Sequence, residues 1–273
     1  MPELPEVEIT RQGLLKKIKH QVCTGAMVRE TRFRKTIPSD LGILLSGQRL
    51  LDIKRRGKYL IWCFERSFLV SHLGMSGVLR VFPKEEPVRK HDHVDIEFGD
   101  LVVRYHDPRR FGFIIWLDKT EIPEDLPEIK RLGVEPFSVE FNAQYLEESL
   151  RKITRSIKEV LLSGHVVVGV GNIYCSESLF EAGINPFISA NKLSLKQLEK
   201  LVQAIRTILS LSLQEGGSTL KDFVSAEGKE GYFTLNAKVY ARSGKPCLRC
   251  GKTIEKKMQN GRASYYCPHC QRV

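Results

Sequence analysis

Apolar residues recur at roughly helical spacing from Glu6 to about Lys19, at Val7, Ile9, Leu14, Leu15 and Ile18, which predicts a helix just behind the start of the chain. From about Met27 to Leu117 the rhythm changes to short runs: Leu50-Leu51-Asp52-Ile53, Tyr59-Leu60-Ile61-Trp62-Cys63-Phe64, Phe68-Leu69-Val70, Val94-Asp95-Ile96-Glu97-Phe98 and Leu101-Val102-Val103-Arg104-Tyr105. Gly and charged turns separate them, and they read as strands of an antiparallel sandwich or barrel. From about Asn142 to Leu213 the helical period returns, with candidate helices at 144–152, 156–162, 173–182 and 194–213, the last the clearest. Leu132-Gly133-Val134-Glu135-Pro136 reads as the hinge between the halves. No internal repeat or low-complexity tract interrupts this layout. It is that of a multidomain α+β chain, and 273 residues suffice for two separate cores.

The end of the chain adds a different kind of signal. Cys247-Leu248-Arg249-Cys250 and Cys267-Pro268-His269-Cys270 are two C-x-x-C pairs 16 residues apart. Two residues between thiolates let one tight knuckle present both sulfurs to a single metal, and two knuckles complete a four-sulfur tetrahedral zinc site. A redox role needs only one such pair. With four protein ligands the coordination shell is closed, so one Zn2+ here is structural. Between the knuckles the pattern predicts a hairpin turning at Asn260-Gly261, with Arg262 just after the turn and 263–266 alternating as a strand. Lys252, Lys256, Lys257 and Arg262 make this module basic, suited to touching phosphates or simply to a solvated surface.

Charge favours the first of these. Forty-three Lys and Arg against 32 acidic residues leave a formal charge of +11, which points to a polyanionic partner, nucleic acid or an anionic membrane surface. No apolar run approaches the ~20 residues needed to span a bilayer. The start has no basic region followed by an apolar stretch and does not read as a signal peptide. Seven cysteines, an odd number, argue against a closed disulfide framework and fit a reducing cytoplasm.

The first residues, Met1-Pro2-Glu3-Leu4-Pro5-Glu6, carry candidate chemistry. Removal of Met1 exposes the secondary amine of Pro2, able to attack an electrophilic carbon and form an iminium ion, with the Glu3 carboxylate beside it to move protons. The competing reading is an ordinary frayed terminus.

Several separated stretches together resemble one family. They are Pro2-Glu3-Leu4-Pro5-Glu6-Val7-Glu8, Arg56-Gly57-Lys58-Tyr59-Leu60, Ser71-His72-Leu73-Gly74-Met75-Ser76-Gly77, Lys90-His91-Asp92-His93, Asp107-Pro108-Arg109-Arg110-Phe111-Gly112, Gly169-Val170-Gly171-Asn172-Ile173-Tyr174 and the four-Cys tail. Their order from residue 2 to residue 272 resembles that of the bacterial formamidopyrimidine-DNA glycosylases, bifunctional base-excision enzymes that remove 8-oxoguanine and ring-opened purines.

The resemblance implies an N-terminal catalytic β-sandwich domain over 1–132, a hinge at 133–140, a helical helix–two-turns–helix domain over 141–236 and a zinc finger over 237–273. It implies double-stranded DNA, bound between the domains by a monomer, as the partner, with cytosine preferred opposite the lesion and no membrane involved. In that reading Pro2 attacks the sugar C1′ and displaces the base, and its amine titrates near ~8. Glu3 protonates the ribose ring oxygen, and β- then δ-elimination excises the sugar. Lys58, Asn172 and Arg262 hold phosphates of the damaged nucleotide, His91 positions the strand, and Lys158 matches a lysine linked to the substrate. Met75, Arg109 and Phe111 fill the gap left by an extruded base, with Arg109 bonding the estranged cytosine; composition alone would read Met75 and Phe111 as core residues. The segment from Gly216 to Tyr232 corresponds to a loop over the flipped base, with Glu6 near the same pocket.

One departure stands out. In Leu161-Leu162-Ser163-Gly164-His165, Ser163 occupies the place where the family usually carries Asp, which bears on the geometry around Asn172. The nearest rival is an endonuclease VIII-like glycosylase for oxidised pyrimidines, which usually begins Pro-Glu-Gly-Pro where Leu4 stands here. A non-catalytic damaged-DNA-binding zinc protein is the rival from another class, opposed by intact Pro2 and Glu3.

Overall fold

The computed structural model describes residues 2–217 and 233–272. It divides into two compact units, one of Met1–Lys130 with Glu215–Tyr232, the other of Arg131–Gln214 with Phe233–Val273.

The first unit opens with helix α1 (Leu4–Ile18), and strands and short helices follow: β1 (Gly25–Val28), α2 (Leu41–Leu45), β2 (Leu50–Arg56), β3 (Tyr59–Phe64), β4 (Ser67–His72), β5 (Val78–Pro83), β6 (Asp92–Phe98), β7 (Leu101–His106), β8 (Phe113–Asp118) and α3 (Pro127–Lys130). The strands form two antiparallel four-stranded sheets in the orders β1-β6-β7-β5 and β2-β3-β4-β8. Two open sheets settle the choice between sandwich and barrel in favour of the sandwich. Its core joins Val7, Leu14 and Ile18 of α1 to Trp62, Phe64, Ile96, Phe98, Val103 and Ile114. Each such side chain withdrawn from water contributes about 1.5–3 kcal/mol. Because α1 packs on β2, β3 and β5, the start of the chain is anchored to this core.

The expected strands are all present, and α1 begins two residues earlier than its periodicity suggests. Three strands and two short helices, α2 and α3, have no counterpart in the sequence reading. With four residues, β1 is too short to show a period; β5 is an edge strand ended by Pro83; β8 is a continuous apolar run, in which nothing alternates.

The second unit contains α4 (Ala143–Leu150), α5 (Ile157–Ser163), α6 (Asn172–Ala182), α7 (Leu195–Gln214) and the antiparallel hairpin β9 (Glu255–Gln259) with β10 (Arg262–Tyr266). The four helices lie within a residue or two of their predicted bounds. Buried Leu198, Leu201, Val202, Ile205, Ile208 and Leu209 give α7 a continuous apolar stripe, and it packs on α4 and α6. The hairpin turns where predicted, with Asn260 at φ 48 and Gly261 at φ 76, both in the left-handed region that a two-residue primed turn requires. Among the described residues no helix is long and apolar enough to cross a membrane.

Candidate active site and nucleic-acid interface

In the first unit the candidate nucleophile is not frayed. Pro2 is buried and joins directly to Glu3, the residue that caps α1. The Glu3 carboxylate accepts from the Glu6 backbone N–H, and Glu6 Oε2 accepts from the Glu3 N–H at 2.8 Å. This reciprocal capping box fixes both carboxylates, 2% and 0% exposed, at the head of the helix. Gly217, at φ 86, approaches so closely that a Cβ would come within 3.2 Å of Glu6 Oε1. Gly216 is likewise left-handed at φ 78, and the proposed lesion loop from 218 to 232 lies outside the described residues.

Lys58 sits in the two-residue turn joining β2 to β3, where Gly57 (φ 57) supplies the positive φ that the first turn position demands. Near it, His72 at the end of β4 is stacked on Phe113 (5.5 Å between centroids, 19°) and tilted against Tyr59 (4.8 Å). Burial, reinforced by the Lys58 and Arg34 charges, pushes the His72 pKa down to about 4. Its Nδ1 accepts from the Gly74 N–H at 3.0 Å, so the neutral ring carries its proton on Nε2.

That bond begins the loop carrying Met75. A second loop, after β7, carries Arg109 and Phe111. The two are packed backbone against backbone: a Cβ on Gly74 would lie 2.3 Å from Gly112 N. A fully buried carboxylate, Asp107, ties them together. Its Oδ1 accepts from Ser76 Oγ at 2.6 Å and Arg109 N at 3.3 Å; its Oδ2 accepts from Gly112 N at 3.0 Å and Tyr105 OH at 3.2 Å. On this platform Met75 and Phe111 are 40% and 47% exposed, so neither is a core residue. The Arg109 guanidinium lies 4.7 Å from the centre of the Phe111 ring. An apolar pair and a cation are thus presented outward by rigid loops, the arrangement of a wedge that enters a base stack.

His91 adopts φ 75, and left-handed backbone at a non-glycine residue stores on the order of 1–3 kcal/mol. Its carbonyl accepts from Asp107 N at 3.1 Å, and its ring is 6.0 Å from those of His93 and His106, the latter bonded through Nδ1 to Asp92 at 2.8 Å.

In the second unit, Gly171 caps α6 and Asn172 opens it, after Gly169 at φ 82. Asn172 Nδ2 donates to the Ala263 carbonyl at 3.1 Å, and among the described residues its buried Oδ1 has no hydrogen-bond partner. Lys158 donates to the same carbonyl at 2.8 Å and to Ser264 Oγ at 2.8 Å. At 1% exposure Lys158 is a brace between α5 and β10. Arg262, one residue before this anchor, is exposed. Ser163 ends α5: its hydroxyl donates to the Val160 carbonyl at 2.7 Å and accepts from His165 N at 3.3 Å, and Gly164 supplies the left-handed cap. The departure at Ser163 therefore leaves the start of α6 intact.

The sulfurs of Cys247, Cys250, Cys267 and Cys270 lie within 4.8 Å of one another, with pairs at 3.9 and 3.5 Å. Zn–S bonds of 2.3 Å in a tetrahedron place sulfurs ~3.8 Å apart, so this donor set fits one zinc ion. Burial and the neighbouring thiols push Cys270 up to about 12, whereas the N–H groups of Arg249 and Cys250 overcome burial to hold Cys247 at about 7. A bound dication removes that conflict by favouring all four thiolates.

Comparison with known proteins agrees with this geometry. Residues 1–114 match the formamidopyrimidine-DNA glycosylase N-terminal domain, 132–224 the H2TH domain of the same enzymes, and 244–273 the zinc finger found in FPG and IleRS. The formamidopyrimidine-DNA glycosylase of Acidithiobacillus ferrooxidans is 48% identical over 273 residues, covering all of both chains. That of Bordetella avium is 48% identical over 274 residues, again covering both completely. The chain belongs to the formamidopyrimidine-DNA glycosylase family. Among solved members, the Fpg (MutM) protein of Thermus thermophilus superposes with a TM-score of 0.88 at 36% identity, over 99% of this chain and 98% of that one. A complex of the Lactococcus lactis Fpg with Fapy-dG-containing DNA gives 0.90 at 35%, over 99% and 100%. Another Lactococcus lactis Fpg complex holds DNA containing an oxidised pyrimidine, with 0.90 at 36% over the whole of both chains.

Three residues of this family member's framework escaped the sequence reading. Asp107 and His72 stand inside the sequence motifs themselves, but nothing in the motifs says which side chains turn inward. Glu177 is buried on α6 and accepts backbone N–H bonds from Lys238, Val239 and Tyr240 at 2.7–2.9 Å. Burial raises its pKa against the pull of those three donors. A carboxylate within the apolar face of a central helix was its available signal.

Proposed function

We propose that this DNA glycosylase removes oxidised purines, 8-oxoguanine and formamidopyrimidines, from duplex DNA opposite cytosine and then cleaves the abasic strand. The observation that carries this reading is the buried Pro2-Glu3 pair, fixed by its capping box at the head of α1. Once Met1 is removed, the Pro2 nitrogen attacks C1′, and the base departs with the electron pair of the glycosidic bond. Glu3 gives a proton to the ribose ring oxygen, and the ring opens to an iminium ion. That cation acidifies the C2′ proton; its loss expels the 3′ phosphate, and a second elimination expels the 5′ phosphate. Lys58, Asn172 and Arg262 hold the phosphates, with His91 positioning the strand. Met75 and Phe111 fill the vacated stack and Arg109 meets the estranged cytosine. Zinc, held by the four cysteines, maintains the hairpin that presents Arg262. Lys158 acts through that hairpin. The enzyme works as a monomer in the cytoplasm.

Incubating the protein with an 8-oxoguanine:C duplex and borohydride tests the chemistry: a covalent protein–DNA adduct is expected, and its absence refutes the imine. The complex of a relative with an oxidised-pyrimidine DNA gives a second reading some weight. Comparing release of 8-oxoguanine with that of thymine glycol decides between them, and faster pyrimidine release reverses the assignment.

A further inference from the structure

Alongside Arg262 the second unit has a cavity of about 260 Å³, several of whose walls the proposed mechanism leaves without a role. It lies between α5 and the zinc hairpin, lined by Arg155, Lys158, Glu159, Ser163, Asn260 and Arg262. Three cations face one carboxylate. That carboxylate is already engaged: Glu159 Oε2 accepts from Ser156 N at 3.2 Å and Ser156 Oγ at 2.6 Å in the capping box of α5. Lys158 is directed at the hairpin backbone. Arg155 and Arg262 line the same cavity, and among the described residues neither guanidinium has a hydrogen-bond or ion-pair partner. Two forked donors of fixed positive charge around a polar cavity suit an oxyanion with several acceptor oxygens. At position 163 the wall is a neutral hydroxyl, itself bonded to Val160, and adds no repulsion.

From this we infer that the cavity is a second phosphodiester site, taking a DNA backbone phosphate beyond those assigned to the damaged nucleotide, with Arg155 as its dedicated ligand. The inference rests on the DNA-binding reading and extends the phosphate track along α5. Such a contact adds affinity for any sequence and contributes nothing to the chemistry at Pro2.

The test measures binding of the full-length protein to an abasic-analogue duplex and an undamaged duplex over a range of KCl. R155A, an exposed position that leaves the fold intact, should lower the log–log salt slope by about 0.9 for both duplexes. S163D, which puts a carboxylate into the cavity, should lower it similarly, while R155K retains it. Single-turnover excision at saturating enzyme should equal that of the parent. Unchanged slopes in R155A and S163D overturn the inference, as does a loss confined to R155A, which would place Arg155 on DNA outside the cavity. Protection of the parent, but not of R155A, against thermal unfolding by inorganic phosphate at matched ionic strength would assign the site to free phosphate instead. A parent that binds no damaged duplex at all refutes the DNA reading and is distinguishable from each of these.

Discussion

The two units present outward-facing side chains in contrasting ways. In the first, Met75, Arg109 and Phe111 stand on loops held by one buried carboxylate and by backbones so close that glycine is required at Gly74 and Gly112. In the second, Arg262 stands on a two-stranded hairpin that is marginal alone in water. Its support comes from a four-thiol site and from Lys158 and Asn172, both bonded to the Ala263 carbonyl. The sandwich generates rigidity from its own large core. The hairpin borrows it from a metal and from the helices behind it. The units should therefore fail under different insults.

Metal removal should separate them most sharply. Structural zinc contributes about 10–16 kcal/mol to small metal-dependent folds, so chelation should collapse the hairpin and abolish DNA binding. Both tryptophans, Trp62 and Trp116, lie in strands of the first unit, so their emission reports on the sandwich alone. It should stay unchanged during chelation; zinc-free protein with full DNA affinity would end the borrowed-rigidity account. Next in size is Asp107→Ala: Arg109 N keeps Ser76 Oγ and Tyr105 OH keeps the His72 carbonyl, but Gly112 N loses its acceptor, and the sandwich should be destabilised by roughly 3 kcal/mol. Thermal unfolding followed by tryptophan emission measures it, and an unaltered melting temperature would deny the carboxylate its structural role. Lys158→Met, similar in shape without the charge, loses both bonds to the hairpin and should weaken DNA binding about ten-fold, or ~1.4 kcal/mol, while leaving the tryptophan transition in place.

Much of this contrast was legible beforehand, though unevenly. Two C-x-x-C pairs state a zinc site outright, because ligand spacing is a local property, and Asn260-Gly261 states its turn. The strands of the sandwich were readable where they alternate or are bounded by turns, and not at β1 or β8. Met75 and Phe111 look like core by composition, and only the three-dimensional approach of two distant loops turns them outward. Lys158 shows the converse: a lysine reads as exposed, yet a hairpin 105 residues later in the chain supplies its acceptors. Long-range hydrogen bonds of this kind leave no periodic trace.

A smaller effect sharpens the comparison through pH. His72 titrates at about 4 when folded against about 6.5 in an unfolded chain. A depressed histidine favours the unfolded state, which gains its proton first, as pH falls from about 6.5 toward 4; its full stability is present above that window. The sandwich transition should therefore drop in melting temperature across that interval, and His72→Phe should flatten the decline. A slope preserved in the variant would assign the proton elsewhere.

The central claim is that the first unit's fixed terminus is the nucleophile. Reducing the complex with an 8-oxoguanine:C duplex by borohydride and mapping the adduct by peptide mass spectrometry tests it directly. The account predicts the deoxyribose remnant on the Pro2 nitrogen of chains lacking Met1, with chains retaining Met1 unmodified. An adduct on Lys58 or any other lysine, or on chains that keep Met1, would contradict it.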